Sequence, residues 1–483
     1  MSIFFACEED GLDLSPLQVS ENDFFKDESE MEAAVRGTYA KLTDFFWFNI
    51  NSHNLGFTLL PGDDITTLGN APFEAFFNLN SATGEIDYMY KKYYELVGRS
   101  NIILEKIETA DASVYKNADL KKTHRGEALF LRGYAFFKLG NYFGTSPLIN
   151  QRIKSIEGTT PSPSKDGELL DQAIKDFQEA ATLLPASWSV ENRGRVTANA
   201  ANGMLGKALV YRGSIKKNGA DFAAALVALN KVTAKLVANY GDNFSAKAEN
   251  NDESLFEFQA TEFGVDNVWL SNDYGGGVGS TSAYWGFYED HWSMFGAPRF
   301  NATQKLIKTF EAGDPRLSVL VDSGTANIRK YVADDVKTST GPGSANNPRI
   351  LRHAEILLLK AEALLESGGS TLEAIKAVNE VRTRARNMVS GGKAPANYSE
   401  TESDKAKIWT WITNERFMEL AGEEGTRYLD LRRWHLAGKI NLATWDFSSE
   451  RPDVVWDAKK NVLYPIPLSE LDYNKNMQQN AGY

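Results

Sequence analysis

Apolar residues return every three or four positions along most of the chain, the spacing that gives an α-helix one buried face. The pattern is clearest in "EIDYMYKKYYELVGRSNIILEKIE", "HRGEALFLRGYAFFKLGNYF", "DGELLDQAIKDFQEAATLL", "RVTANAANGMLGKALVYRGS", "FAAALVALNKVTAKLV", "HAEILLLKAEALLESG", "STLEAIKAVNEVRTRAR" and "KIWTWITNERFMELAGE". A further run, "SEMEAAVRGTYAKLTDFF", opens with Ser29 and has Glu32 three residues on, and Ser370 with Glu373 repeats the arrangement. Both read as capping boxes, in which the hydroxyl and the carboxylate satisfy free N–H groups of the first turn. Several runs pair across short turns at Gly or Pro. The first partner of each pair mixes small and large residues: Ala128, Gly133 and Ala135, then Gly203, Gly206 and Ala208, then Ala354, Ala361 and Ala363. Small residues let neighbouring helices approach closely, as in tetratricopeptide-type stacks, although the spacing between pairs is irregular. The expected fold is mainly α: tetratricopeptide-like helical hairpins forming a superhelical scaffold over residues 25–45, 86–260 and 349–440.

Two stretches break the helical pattern, residues 46–85, rich in Gly, Pro, Asn and Thr, and residues 264–348. Irregular segments of this length in a folded chain usually carry function, so these are expected to form a ligand face. Their residue types suggest which ligand. Trp269, Tyr274, Tyr284, Trp285, Tyr288 and Trp292 alternate with Asp266, Asn267, Asn272, Asp273, Glu289 and Asp290. The C–H faces of a sugar pack on aromatic planes while amides and carboxylates bond its hydroxyls, so the combination suits a carbohydrate. Stacking is expected from these six rings, with Phe76 or Phe77 from the first segment, and polar contacts from Asn272, Asp273 and Asp64. The competing reading is that the rings anchor a long loop to the helical body.

Charge and motif content narrow the classes. A formal net charge of −12 repels phosphate backbones and argues against a nucleic-acid partner. No apolar run approaches the ~18 residues of a transmembrane helix. One cysteine excludes an internal disulfide and a cysteine zinc site. The cluster Gly275, Gly276, Gly277 and Gly279 lacks a following Lys-Ser/Thr pair and has Ser280 where a dinucleotide fingerprint needs Gly. His53, His124, His291, His353 and His435 show no ligand spacing, and the acidic pair Asp63 and Asp64 lacks the spaced oxygen donors that calcium needs, so neither metal nor cofactor is expected. The carboxylate pairs Asp63/Asp64 and Glu289/Asp290 are merely adjacent, a weak basis for glycoside hydrolysis, and no Gly-x-Ser-x-Gly elbow occurs. In "NERFMELAGEEGTRYLDLRRW", Arg427, Asp430 and Arg433 stand three apart on a helix. With Glu415, Arg416 and Glu419 they are expected to form a structural ion-pair network.

Taken in order, "RGEALFLRGYAFFKLGNYFGTSPLI", "ANGMLGKALVYRG", "FEAGDPRL", "LRHAEILLLKAEALLESGG", "AIKAVNEVRTRA", "NERFMELAGEEGTRYLDLRRW" and "YPIPLSELDYNKNMQQNAGY" resemble the SusD/RagB family of Bacteroidetes outer-membrane nutrient-binding lipoproteins. The resemblance implies one domain over 8–483 with an outward ligand site built from the irregular segments. It implies a non-enzyme that captures oligosaccharide at the cell surface and delivers it to a SusC-like TonB-dependent transporter. Only "GDDITT", with Asp63 and Asp64, matches a short acidic turn that such proteins carry beside the site, whether touching ligand or shaping the loop. The rivals are a peptide-binding member of the same fold, a glycoside hydrolase, and a helical scaffold with no small ligand. The opening "MSIFFACEED" resembles the end of a lipoprotein signal, with Ala6 before the cut and Cys7 taking the lipid. Six residues without positive charge are too few for a complete signal peptide, so residues 1–7 read as its remnant. Lipidation at Cys7 would make the anchor the only membrane contact, at the outer membrane.

Overall fold

In the computed structural model each long apolar-periodic run forms a helix over all or part of its length. The structure describes residues 21, 24–46, 54–67, 79–261, 283–284, 300–332, 343–447, 450, 456–457 and 459–483. The principal helices are α1 (Glu28–Tyr39), α2 (Gly84–Thr109), α3 (Ala118–Tyr142), α4 (Glu168–Leu183), α5 (Ala198–Lys216), α6 (Gly219–Leu229), α7 (His353–Glu366), α8 (Thr371–Asn387), α9 (Lys405–Glu419) and α10 (Thr426–Ala437). Each of α2 to α6 packs on the next along the chain, and α7 joins that stack through α6 before pairing with α8 and α9. Expected hairpins of the tetratricopeptide type are therefore present.

Small residues sit where the helices touch. A Cβ added to Gly133 of α3 would lie 3.0 Å from the Phe177 ring of α4. One added to Gly206 of α5 would lie 2.3 Å from Leu229 Cδ2 of α6, a distance no real Cβ contact shows. Helix α3 is enclosed nearly all round, which explains why its motif carries charges that must be paired. Arg132 meets Asp176 at 2.7 and 2.8 Å, Lys138 meets Glu424, and Glu127 meets Arg195 at 2.6 and 2.7 Å.

One capping expectation holds in its hydroxyl half and one fails. Ser370 accepts the Glu373 N–H at 3.2 Å. At α1 the cap is Asp27, whose carboxylate accepts the N–H groups of Ser29 and Glu30 at 2.9 and 3.0 Å. The helix starts two residues earlier than expected, so Ser29 lies inside the first turn and Asp27, a charged acceptor at the helix N-terminus, takes the first free N–H groups. Glu32 is then free to bond His124 at 2.7 Å and Arg195 at 2.8 Å across the helix packing. The run "FAAALVALNKVTAKLV" is helical only to Leu229, where Asn230 caps it.

Three two-stranded antiparallel sheets complete the described residues. Strand β1 (Ile65–Thr67) pairs with β4 (Phe300–Ala302), β2 (Ser254–Glu257) with β6 (Arg349–Arg352), and β3 (Ala283–Tyr284) with β5 (Gly343–Ser344). The main core runs through α2 to α6, and a second cluster around Leu358, Ile375, Val378, Ile408 and Ile412 binds α7, α8 and α9 together.

Candidate functional site

The two irregular segments meet through a short strand pair midway along each. Register Ile65↔Ala302, Thr66↔Asn301 and Thr67↔Phe300 joins the first to the second, and Tyr284↔Gly343 folds the second back on itself. Leading into β1 is the acidic turn Gly62-Asp63-Asp64, which a side chain at its first position would block, since a Cβ on Gly62 would lie 2.4 Å from Asp64 Oδ1. Asp63 is buried and accepts from four donors: Arg427 Nε at 2.5 Å and Nη2 at 3.0 Å, Lys305 Nζ at 2.7 Å and Trp445 Nε1 at 2.9 Å. Thr303, immediately after β4, donates through its hydroxyl to the Asp63 carbonyl at 2.8 Å and through its N–H to the Asp64 carbonyl at 2.9 Å. The turn is thus pinned from α10, from the strand beside it and from the Trp445 region.

Adjacent carboxylates have opposite electrostatics here. Burial pushes Asp63 up, but Arg427 and Lys305 overcome it and hold the acid down at about 2. Asp64 is 1% exposed and accepts the Gly422 N–H at 3.2 Å. Burial, then the neighbouring Asp63 charge, raise it to about 6. The Asp64 carboxylate is thus enclosed, with Oδ2 bonded to the chain and Oδ1 buried without a hydrogen-bond partner among the described residues.

Tyr284 lies in β3, against which the short helix Thr43–Phe46 packs. Its partner strand β5 leads directly to Asn346, whose amide donates to the carbonyls of Phe244 and Tyr331, both at 2.7 Å. The strand pair that holds Tyr284 is therefore tied to the core through a buried amide. Phe76, Phe77, Trp269, Asn272, Asp273, Tyr274, Trp285, Tyr288, Trp292 and Cys7 lie outside the described residues.

Beneath this face runs a buried ionic lattice. Glu419 accepts from Arg316 at 2.8 Å, from Arg352 at 2.7 Å and from Arg384. Glu415 bonds Arg316 at 2.5 Å and Arg382 at 2.8 Å, and Glu253 bonds Arg352 at 2.8 Å and Arg384 at 2.9 Å. Asp430 bonds Arg416 at 2.7 Å and Arg433 at 2.9 Å. Burial opposes the charge on Glu419, yet the three guanidiniums keep it well below the usual carboxylate range. The expected network around Glu415, Arg416, Glu419, Asp430 and Arg433 is present, with one change: Arg427 is paired to Asp63 at 2.5 Å, not to Asp430. Lys305, Thr303, Trp445 and Arg427 escape sequence reasoning as parts of the site, since no periodicity links them to a turn hundreds of residues away.

A stack of helical hairpins with a loop-built face stitched by short antiparallel pairs defines a scaffold-type protein. Residues 321–483 match the SusD family model, and residues 72–210 match a SusD-like model described as starch-binding associating with outer membrane. The chain belongs to the SusD/RagB family. It is 26% identical to SusD-like protein P2 of Formosa agariphila, covering 95% of this chain and 94% of that one. Among solved structures it resembles a laminarin binding SusD-like protein with a TM-score of 0.72 at 22% identity, covering 95% of this chain and 100% of the other. It also resembles surface glycan-binding protein A from Bacteroides fluxus with a TM-score of 0.74 at 22% identity, covering 94% and 99%. These likenesses establish the fold.

Proposed function

We propose that the chain is a non-catalytic glycan-binding lipoprotein of the outer-membrane surface, anchored through Cys7, that captures oligosaccharide and passes it to a SusC-like TonB-dependent transporter. The observation that carries the reading is the pairing of β1 with β4, which joins the two irregular segments whose sequences hold the candidate rings, with β3 and β5 folding the second segment on itself. Support comes from the laminarin-binding and glycan-binding proteins of the same fold. Hydrolysis by the acidic turn is disfavoured, because Asp63 is locked in ion pairs and Asp64 is enclosed. Ligand stacking falls to Tyr284, Trp285 and the neighbouring rings, with Asn272 and Asp273 bonding hydroxyls.

Isothermal titration against a glycan panel tests this directly. Tyr284→Ala and Trp285→Ala are expected to weaken oligosaccharide binding about tenfold or more while leaving the melting temperature nearly unchanged. A large fall in melting temperature at unaltered affinity would show that the rings are core. Binding of mixed peptides with silence toward all glycans would overturn the carbohydrate assignment, as would release of reducing ends by the pure protein. For the anchor and the partner, native chain expressed with a signal peptide should fractionate with outer membranes and co-purify with a TonB-dependent transporter, and Cys7→Ser should release it from the membrane.

A further inference from the structure

The helical body carries a groove whose lining, among the described residues, comes from outside the two irregular segments. Cavities of about 370 and 350 Å³ adjoin one another, sharing Arg193, Gly194, Arg195 and Glu257 as common wall. Their remaining walls come from the connection between α4 and α5, the chain after α6, strand β2, and the end of α1.

Trp188 lines the first cavity and is fixed at two points. Its Nε1 donates to the Val196 carbonyl at 2.9 Å, and the Arg195 guanidinium stacks 4.2 Å from the ring centroid. Arg195 is itself held by Glu32 and Glu127 at 2.8 and 2.6 Å. The half-buried indole is therefore a rigid plate with one face taken, able to offer the other to a ligand ring.

The polar groups around the plate are of two kinds. Asn199 is spent on Thr233, Asn250 on Gln259, and Asn251 on the backbone of its own turn. Glu257 is buried and bonded to the Asn250 N–H at 3.1 Å and to Asn347 at 2.8 Å. Arg193 and Lys235, by contrast, are exposed and have no side-chain partner among the described residues; Asp252 is the exposed acid on the same wall. The free donors are thus predominantly cationic, in a chain whose net charge is −12. A neutral sugar would find the amides already occupied. An anionic one would find two charge-assisted donors beside an aromatic plate.

We propose that this groove is a second carbohydrate site, selective for acidic oligosaccharides, in which a sugar ring packs on Trp188 while its carboxylate or sulfate is bound by Arg193 and Lys235. It rests on the carbohydrate reading given above only for the class of ligand, since none of its residues belongs to the loop-built face.

The probes are a tetragalacturonate, its neutral methyl ester and a sulfated galactan fragment of similar length, titrated into the full chain by calorimetry. Tetragalacturonate or the sulfated fragment should bind, the methyl ester about tenfold more weakly, and affinity should fall as salt is raised to roughly 0.5 M. The response of the carboxylate against the sulfate probe tells which anion the groove takes. Arg193→Ala with Lys235→Ala, both exposed positions, should reduce binding of the anionic probe about tenfold, and Trp188→Ala should do the same. Tyr284→Ala and Trp285→Ala should leave it unchanged. Equal affinity for the methyl ester, indifference to the Arg193/Lys235 double substitution, or no binding of either anionic probe by the wild type would overturn the proposal. Failure of the loop-built face is read separately, as loss of neutral glycan binding in every protein while the anionic titration persists.

Discussion

Asp64 is the residue at which charge and fold are most at odds. Its carboxyl titrates near 6 in the folded chain against an ordinary value of 3.8. Because the folded state holds the proton more tightly than the unfolded state, the stabilising effect of protonation is complete below the ordinary value and is lost as pH rises through about 6. Asp64→Asn should therefore raise the melting temperature at pH 8 and change it little at pH 4, as differential scanning calorimetry at the two pH values would register. A variant less stable than wild type at pH 8 would mean the ionised group is needed. Glu419 has the opposite sign. Its folded value is depressed by Arg316, Arg352 and Arg384, so its contribution is present above the ordinary value of 4.5 and lost only as pH falls far below it. Glu419→Gln leaves guanidinium charge buried without its counter-ion and is expected to cost about 3–5 kcal/mol near neutral pH, measured by denaturant unfolding, with the gap narrowing in acid.

At the level of elements, glycine has two different meanings in these helices. Gly206 faces Leu229 so closely that a Cβ would lie 2.3 Å from Cδ2 and 2.5 Å from Cγ, and Leu229 is itself buried. Gly98 in α2 has nothing within 4 Å of the same position. Alanine at Gly98 should then stabilise by about 0.5–1 kcal/mol through reduced backbone entropy of the unfolded chain. Alanine at Gly206 receives the same benefit but must displace a packed leucine, an overpacking cost of about 1–3 kcal/mol, so the net change should be destabilising. Adding Leu229→Ala should relieve the overlap. Urea midpoints of the three variants would decide it, and a stabilised Gly206→Ala would show that α5 and α6 can move apart freely.

Across the whole molecule, the connection that matters most for the loop-built face joins residues 364 positions apart in sequence. Arg427 of α10 clamps Asp63, and through it the turn that feeds β1 and its partner β4. Arg427→Met keeps an unbranched apolar side chain of similar reach but removes the charge, which lies over the Phe417 ring at 4.0 Å. Amide exchange in residues 61–67 and 300–303 should quicken in this variant, with glycan affinity falling more than the global melting temperature. Unchanged exchange there would show that Lys305, Trp445 and Thr303 hold the turn without it.

The amino-acid sequence by itself determined the helices, the Ser370 cap, the small residues that let helices touch, and the presence of an ion-pair network near the C-terminal motif. Each of those depends on neighbours within a turn or two, where a repeat of 3.6 residues or a hydroxyl three positions from an N–H is a complete physical statement. Only the tertiary structure decided which charge met which. Ser29 lost its cap to Asp27 because competing acceptors are ranked by geometry, and Arg427 took Asp63 rather than Asp430 because Arg416 and Arg433 already surround Asp430. It also separated two adjacent aspartates into an ion-paired anchor and an enclosed acid, and it opened a groove beside Trp188 from four stretches of chain with no common pattern. Coulombic and packing partners are chosen through space, so a one-dimensional pattern can announce that charges will be paired but not with whom.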